Sequence, residues 1–146
     1  MGTADGLIIR PYDAKDRDEV VGLWDRSGLI VPWNDPDHDI ECKLKVMGEL
    51  FLVGVIDGKV IATAMVGYEG HRGWINYLAV DAGYRRKGIA RALMEKAEEE
   101  LRKLGCPKIN VQIRSSNMVA AGFYENLGYT LDDVISMGKL LDQDLL

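Results

Sequence analysis

The sequence predicts an α+β fold in which helices flank a mostly antiparallel, twisted sheet. The first observation behind this prediction is a run of three β-rich segments, residues 50–56, 59–68 and 74–80, without a helical pattern between them. The second is the apolar stripe of a long amphipathic helix at residues 89–104. Consecutive strands joined by short turns usually pair antiparallel, so the three segments should form a meander.

Turn and cap residues place the other elements. Asp57-Gly58 supplies the positive φ angles that a tight hairpin needs between residues 56 and 59. Gly105 should end the long helix, and Gly128 should end a later one. The remaining predicted elements are strands at residues 7–10, 108–114 and 134–140 and helices at residues 13–26, 37–47 and 117–127.

Composition predicts one compact domain over residues 1–146, since 47% hydrophobic and 28% charged residues are ordinary for a globular chain. A net charge of -5 argues against a general nucleic-acid binder, because no broad basic surface is available for phosphates. No apolar run approaches the ~20 residues of a membrane span, and residues 1–6 lack a signal-peptide pattern. We therefore expect a cytoplasmic protein without nucleic-acid or membrane partners. The oligomeric state is undecided, with a homodimer as one option.

The two cysteines, Cys42 and Cys106, predict reduced and mostly buried thiols rather than a disulfide. His38 and Cys42 are four residues apart and would share a helical face, but a metal site would lack further ligands, so no metal is expected. Neither cysteine has an evident basic neighbour in sequence, which disfavours covalent cysteine catalysis.

The segment from Val80 to Ala90 runs from a strand through a glycine-containing turn into the long helix. The first amides of a helix lack partners within it and lie at the positive end of its dipole, so such a junction favours anions. Three basic residues, Arg85, Arg86 and Lys87, add positive charge there. The alternative is a helix start whose basic residues simply face solvent.

Within that turn, Arg85-x-x-Gly88-x-Ala90 resembles the coenzyme A signature of GNAT acetyltransferases, and the resemblance runs over residues 7–140. It implies that the sheet splays between the fourth and fifth strands, where the ligand's pantetheine pairs with the fourth strand and its pyrophosphate lies on the turn. The residues that the resemblance assigns to coenzyme A in these two segments are Leu78, Ala79, Val80, Arg85, Arg86, Lys87, Gly88, Ile89, Ala90 and Arg91.

A second segment, Asn117-x-x-Ala120-x-x-x-Tyr124, is similar to the other signature of that family. Asn117 and Tyr124 are two helical turns apart and can point toward one cleft, while Phe123 and Leu127 would face a core. The resemblance implies that both bind the cofactor and that Tyr124 gives a proton to the departing thiolate. Alternatively, Asn117 is only an N-cap and Tyr124 a half-buried aromatic residue.

The resemblance leaves the general base open. Several relatives carry a glutamate on the strand before the phosphate turn, but the corresponding residues 74–78 contain none. Glu69 is our candidate, with His71 and a water relay as alternatives. Both side chains also fit a purely structural role in the turn.

The loop at residues 32–37 lies where GNAT enzymes build part of the acceptor site, and with residues 67–74 it resembles the YpeA-like branch of the family. We expect Trp33 and Asp35 to contact a cationic amine. The alternative is structural: Asp35 and Asp37 cap turns and the second helix, and the tryptophans close the core.

The resemblance as a whole implies an N-acetyltransferase that uses acetyl-coenzyme A as cosubstrate and needs no metal. The acceptor is a small-molecule amine or a peptide or protein amino group, which attacks the thioester directly. The alternative is a non-catalytic sensor of acyl-coenzyme A or an interaction module, which would bind the same ligand without a proton donor.

Overall fold

The computed structural model describes residues 5–142. The first four and the last four residues of the predicted domain lie outside the described residues. Most of the segment 1–6, which lacks a signal-peptide pattern, therefore also lies outside them. The chain divides into two compact units, Met1–Asn110 and Val111–Leu146. Within the described residues, no helix is long and apolar enough to cross a membrane.

The helices and strands follow the predicted order, and the predicted α+β fold is confirmed. Five strands form one sheet in the order β1-β2-β3-β4-β5, in which β1 to β4 are antiparallel neighbours and β5 runs parallel to β4. The elements are β1 Ile8–Pro11, α1 Arg17–Arg26, α2 Pro36–Lys45, β2 Phe51–Ile56, β3 Lys59–Tyr68, β4 Gly73–Val80, α3 Ile89–Lys103, β5 Ile109–Val111 and α4 Met118–Asn126.

The central strands are buried on both faces, which explains their nearly continuous apolar sequence. Alternate residues of β2, such as Phe51 and Val53, share a cluster with Leu23 and Trp24 of α1. The apolar stripe of α3 is also buried, and this helix packs on β2, β3 and β4. Helices thus cover the sheet in the first unit.

The hairpin between β2 and β3 has the predicted turn. Asp57 and Gly58 have φ angles of 51° and 76°, the left-handed values of a two-residue turn that matches strand twist. Ile56 and Lys59 are the last paired residues on either side. Local turn chemistry therefore fixes the register at the turn end of the hairpin, as far as the register shift between Gly54 and Val55.

A β-bulge interrupts β4 at Tyr77. Met65 pairs with Asn76 and Thr63 with Ala79, so two residues of β4 lie opposite the single residue between Thr63 and Met65. Tyr77 has a φ of 51°, which is unusual for a bulky side chain. The bulge therefore costs backbone strain and must be held by surrounding contacts.

Two hydrogen bonds hold this bulge. The Trp24 indole Nε1–H donates to Thr63 Oγ1 over 2.9 Å, and the Thr63 hydroxyl donates to the Tyr77 carbonyl over 2.8 Å. Both Trp24 and Thr63 are fully buried, and the Trp24 and Tyr77 rings stack with centroids 3.9 Å apart. One buried hydroxyl thus joins α1 to the strained residue of β4.

The sheet opens beyond this bulge, as predicted between the fourth and fifth strands. Gly73 N–H donates to Lys108 O over 2.8 Å, which aligns the start of β4 with the start of β5. β5 has only 3 residues and β4 has 8. The second half of β4 therefore has no β5 residue beside it.

One predicted strand is shorter than expected, and another, at residues 134–140, is not formed. The strand expected at residues 108–114 is confined to Ile109–Val111, because a turn closed by Asn117 N–H and Arg114 O follows it closely. The structure assigns no strand to residues 134–140. Val134 and Ile135 are consecutive and 76% and 86% exposed, so the segment lacks the alternating burial of a strand that covers a core.

We expect Thr63→Val, which preserves side-chain shape, to lower the free energy of unfolding by about 1–3 kcal/mol. The substitution leaves the Trp24 indole N–H and the Tyr77 carbonyl buried without their shared partner. Urea denaturation of wild type, Thr63→Val and Thr63→Ser measures the effect. Thr63→Ser retains the hydroxyl and should be the more stable variant; equal stability of wild type and Thr63→Val would show that the bridge does not hold the bulge.

Candidate active site

The turn between β4 and α3 is anchored at its entry by Asp81. The Asp81 carboxylate accepts hydrogen bonds from Gly83 N–H at 3.2 Å and Arg26 Nη2 at 2.9 Å. Its own amide donates to Ile61 O of β3 over 2.8 Å. These contacts lower the pKa of the Asp81 carboxyl, with the Gly83 amide as the largest cause. The turn is therefore fixed to both β3 and α1.

The backbone of the turn presents a series of unpaired amides. Arg86 and Gly88 have left-handed φ angles of 63° and 76°, and α3 begins directly after Gly88. The first helical hydrogen bond of α3 runs from Ala92 N–H to Gly88 O, and within residues 5–142 no acceptor binds the amides of residues 86–91. Successive amides in such a conformation form a concave anion site.

The side chains of the turn are cationic. Arg85, Arg86 and Lys87 are exposed, and none of them forms an ion pair with a carboxylate in the part of the chain that the structure describes. Arg85 Nε donates to Val80 O over 3.3 Å, and Lys87 Nζ lies 5.7 Å from the centroid of the Tyr84 ring. Because cations at a helix N-terminus oppose the dipole, a bound polyanion would relieve an unfavourable arrangement. The residues present fit a pyrophosphate.

The strand end before the turn has the geometry that a ligand in the opening requires. Ala79 and Val80 pair with Thr63 and Ala62 on the β3 side. On the other side, Leu78, Ala79 and Val80 lie beyond the part of β4 that β5 accompanies. This edge of β4 is therefore left for contacts other than strand pairing.

In the second unit, Asn117 is the N-cap of α4 and Tyr124 lies within that helix. Asn117 Oδ1 accepts from Ala120 N–H at 3.0 Å, as the N-cap alternative requires. Tyr124 is 9% exposed and its ring contacts those of Phe123 and Tyr129, with centroids 5.0 and 5.5 Å away. Phe123 and Leu127, which were expected to face a core, are partly buried, and Tyr124 is the buried residue of α4.

Burial also sets the protonation of Tyr124. It raises the pKa of the Tyr124 hydroxyl to about 12. The neutral phenol is therefore the form present at physiological pH, and it carries the proton that a donor needs. No hydrogen bond engages this hydroxyl among residues 5–142.

The Glu69 carboxylate forms hydrogen bonds within the turn between β3 and β4. Its carboxylate accepts hydrogen bonds from the amides of Arg72 and, at 3.0 Å, His71, and these bonds lower the pKa of the carboxyl. Tyr77 is four positions beyond Gly73, so the bulge lies roughly 13 Å further along the strand. The structure thus shows the turn-stabilising role of Glu69, and its role as a base stays a prediction.

The acceptor candidates Trp33 and Asp35 lie before α2. Asp35 Oδ1 accepts from the amides of Asp37 and His38 at 3.0 and 3.4 Å and caps the helix. This cap and Pro36 start α2 one residue earlier than predicted. Trp33 is 52% exposed and does not close the core, a role that Trp24 fills.

The contact between α2 and the bulge was not predicted from the sequence. The Tyr77 hydroxyl donates to Asp39 Oδ2 over 2.6 Å, and both side chains are half-buried. The residues are 38 positions apart and belong to neither family motif. The only sequence signal was the strong N-cap at Asp35, which fixes where α2 begins.

The expectation of buried cysteines without basic neighbours is wrong for Cys42. Cys42 is exposed, and its Sγ lies 3.5 Å from His38 Nε2, because residues four apart share a helical face. Cys106 is partly buried and donates to Lys108 O over 3.3 Å. The described residues contain no group of three or more His, Cys, Asp or Glu side chains that could hold a metal ion.

The sequence matches the acetyltransferase (GNAT) family over residues 11–129. The structure is similar to that of Ard1 from Thermoplasma volcanium, with a TM-score of 0.79 and 22% identity over 87% of this chain and 84% of the other. It is also similar to the ribosomal-protein-S18-alanine N-acetyltransferase from Escherichia coli, with a TM-score of 0.70 and 25% identity over 84% and 76% of the two chains.

A third similar structure is the glucosamine-6-phosphate N-acetyltransferase from Arabidopsis thaliana, with a TM-score of 0.68 and 20% identity over 93% of this chain and 99% of that one. The low identity makes this a likeness of fold. The family match covers β2 to β5, the turn before α3 and the second unit as far as residue 129. The chain therefore belongs to the GNAT acetyltransferase family and is an N-acetyltransferase.

Proposed function

We propose that this enzyme transfers the acetyl group of acetyl-coenzyme A to a primary amine by direct attack of the amine. The observation that carries the proposal is the turn before α3, where the amides of residues 86–91 lack partners within the described chain. Cations and oriented amides at one helix N-terminus suit a pyrophosphate better than any neutral ligand.

The residues that would hold coenzyme A divide into three groups. The turn residues Arg85, Arg86, Lys87, Gly88, Ile89, Ala90 and Arg91 would bind the pyrophosphate. Leu78, Ala79 and Val80 would offer backbone groups to the pantetheine, and Asn117 and Tyr124 would contribute from the second unit. Bound acetyl-coenzyme A supplies the acetyl group as an activated thioester.

Tyr124 is proposed as the proton donor to the thiolate. Its raised pKa, about 12, keeps the hydroxyl protonated. A free thiol has a pKa of about 8.5, so a tyrosine gives up its proton less readily than a thiol does. The donor must therefore be positioned by the protein at the sulfur for this role to succeed.

The amine must lose its proton before it attacks. An amine with a pKa of about 10.4 is neutral in about one molecule in 2,500 at pH 7, whereas an α-amino group is neutral to roughly a tenth. An α-amino acceptor therefore needs little help from a base. For a more basic acceptor, Glu69, His71 or a water relay would take the proton, and Glu69 remains the proposed residue.

The loop before α2 would restrict which amines the enzyme accepts if it contacts the acceptor. We propose that Trp33 and Asp35 make that contact. The similar Escherichia coli enzyme acts, by its name, on an alanine of ribosomal protein S18, which supports a peptide amino group as one option. Small-molecule amines are the other option. We also propose that the protein belongs to the YpeA-like branch of the family and is located in the cytoplasm.

We expect Tyr124→Phe to lower kcat for amine-dependent thiol release by roughly 100-fold, because general acid catalysis commonly contributes that much. The assay follows thiol release from acetyl-coenzyme A with a panel of amines and N-terminal peptides. Tyr129→Phe is the matched control, since it removes a hydroxyl from the ring that packs against Tyr124. Unchanged kcat in Tyr124→Phe would remove Tyr124 from the mechanism.

We expect Arg85→Ala and Lys87→Ala each to weaken coenzyme A binding about 3- to 10-fold at low salt, and less at high salt because exposed charges are screened. Isothermal titration calorimetry at two salt concentrations measures this. Lys103→Ala, which removes a cation at the other end of α3, should bind like wild type. Equal losses in all three variants would mean that only net charge matters.

A further inference from the structure

The contact between Asp39 and Tyr77 places a carboxylate beside the bulge of β4. Tyr77 O–H donates to Asp39 Oδ2, while Asp39 Oδ1 has no hydrogen-bond partner in residues 5–142. The Tyr77 backbone is held by Thr63, and its ring is stacked on Trp24. A rigid phenol thus orients one carboxylate oxygen and leaves the other for a ligand.

Asp39 differs from the two acidic residues that precede it in α2 and its cap. The Asp35 carboxylate caps the helix, and that of Asp37 receives Arg17 Nε at 2.8 Å and Arg17 Nη2 at 2.7 Å. Asp39 forms no ion pair within the described part of the chain. Asp39 is half-buried, whereas Asp35 and Asp37 are exposed, and no cationic side chain of the described residues pairs with it.

The nearby lysine of α2 does not neutralise it. Lys43 Nζ donates to the carbonyls of Val46 and Val66 at 3.1 and 2.5 Å. Burial raises the pKa of the Tyr77 hydroxyl, and the charges of Asp39 and Asp35 raise it further. The charged groups that act on Tyr77 are therefore both anionic, and a half-buried carboxylate of this kind is stabilised by a cation.

The position of this carboxylate restricts which cation it can bind. Under the function proposed above, on which this inference rests, the acceptor meets the cofactor at the opening that begins after the bulge. A fixed anion beside an amine favours its protonated form, which cannot attack. Asp39 is therefore better suited to a second, non-reacting ammonium than to the amine that becomes acetylated.

We propose that the Asp39 carboxylate, oriented by the Tyr77 hydroxyl, binds a second ammonium group of the acceptor. The preferred acceptors are then diamines or amines with another cationic group. The reacting amine lies at the far end of the acceptor, away from the carboxylate, where it can lose its proton. Asp39 and Tyr77 select the substrate, and Thr63 and Trp24 hold Tyr77 in place.

The first test measures binding without turnover. Diaminobutane and the neutral butanediol are each titrated into protein with ¹⁵N-labelled tryptophan, and the indole N–H signal of Trp24 is followed. Diaminobutane should shift this signal saturably, and butanediol should not. Asp39→Asn keeps an oxygen acceptor for Tyr77 but removes the charge, and should raise the dissociation constant at least about tenfold.

The matched control is Glu41→Gln, which removes one exposed carboxylate from the same helix and should bind diaminobutane like wild type. The proposal is overturned if the Trp24 signal does not respond to diaminobutane, if butanediol has the same effect, or if Asp39→Asn binds as tightly as wild type.

The second test separates this inference from the proposed function. Thiol release is compared for diamines from diaminopropane to diaminohexane and for the n-alkylamines of equal length. Wild type should prefer at least one diamine by about tenfold in kcat/KM, and Asp39→Asn should lose the preference through KM. Acetyl transfer without a diamine preference contradicts the inference alone. Saturable, Asp39-dependent diamine binding without any acetyl transfer contradicts the proposed function alone.

Discussion

One buried hydroxyl, that of Thr63, connects the packing of the first unit to the shape of its site. It accepts the Trp24 indole N–H and donates to the Tyr77 carbonyl, so α1 and the strained residue of β4 share a single polar atom. The bulge at Tyr77 marks where β4 passes beyond the short β5. The orientation of the Tyr77 hydroxyl toward Asp39 depends on this connection.

Electrostatics divides the site into two regions of opposite sign. The turn before α3 combines unpaired amides with Arg85, Arg86 and Lys87, an arrangement suited to the phosphates of a cofactor. The bulge side carries Asp39 without a cationic partner in the described residues, which suits an ammonium. A negatively charged cofactor and a cationic acceptor would each be drawn to a separate end of one chain segment, residues 77–88, which runs from the bulge of β4 to the start of α3.

Features set by local chemistry were predictable from the sequence. Asp57 and Gly58 adopt the left-handed angles that their types favour, and the stripe of α3 ends close to its Gly105 cap. The turn before α3 could be identified as a candidate anion site because glycine, basic residues and a helix start are adjacent in sequence. Features that depend on distant contacts were not predictable: the Asp39 to Tyr77 hydrogen bond spans 38 positions, and the face of α2 that exposes Cys42 is set by packing on the sheet. Residues 134–140 have strand-like composition, but a strand also needs a neighbour to pair with.

The proposed function depends above all on binding of the coenzyme A pyrophosphate by the backbone amides of residues 86–91. Backbone amide NMR during a titration with coenzyme A reports on each of these amides separately. If the amides hold the pyrophosphate, their resonances shift more than those of the rest of the chain and saturate together. Coenzyme A binding that leaves these resonances unchanged would show that the pyrophosphate does not bind at this turn.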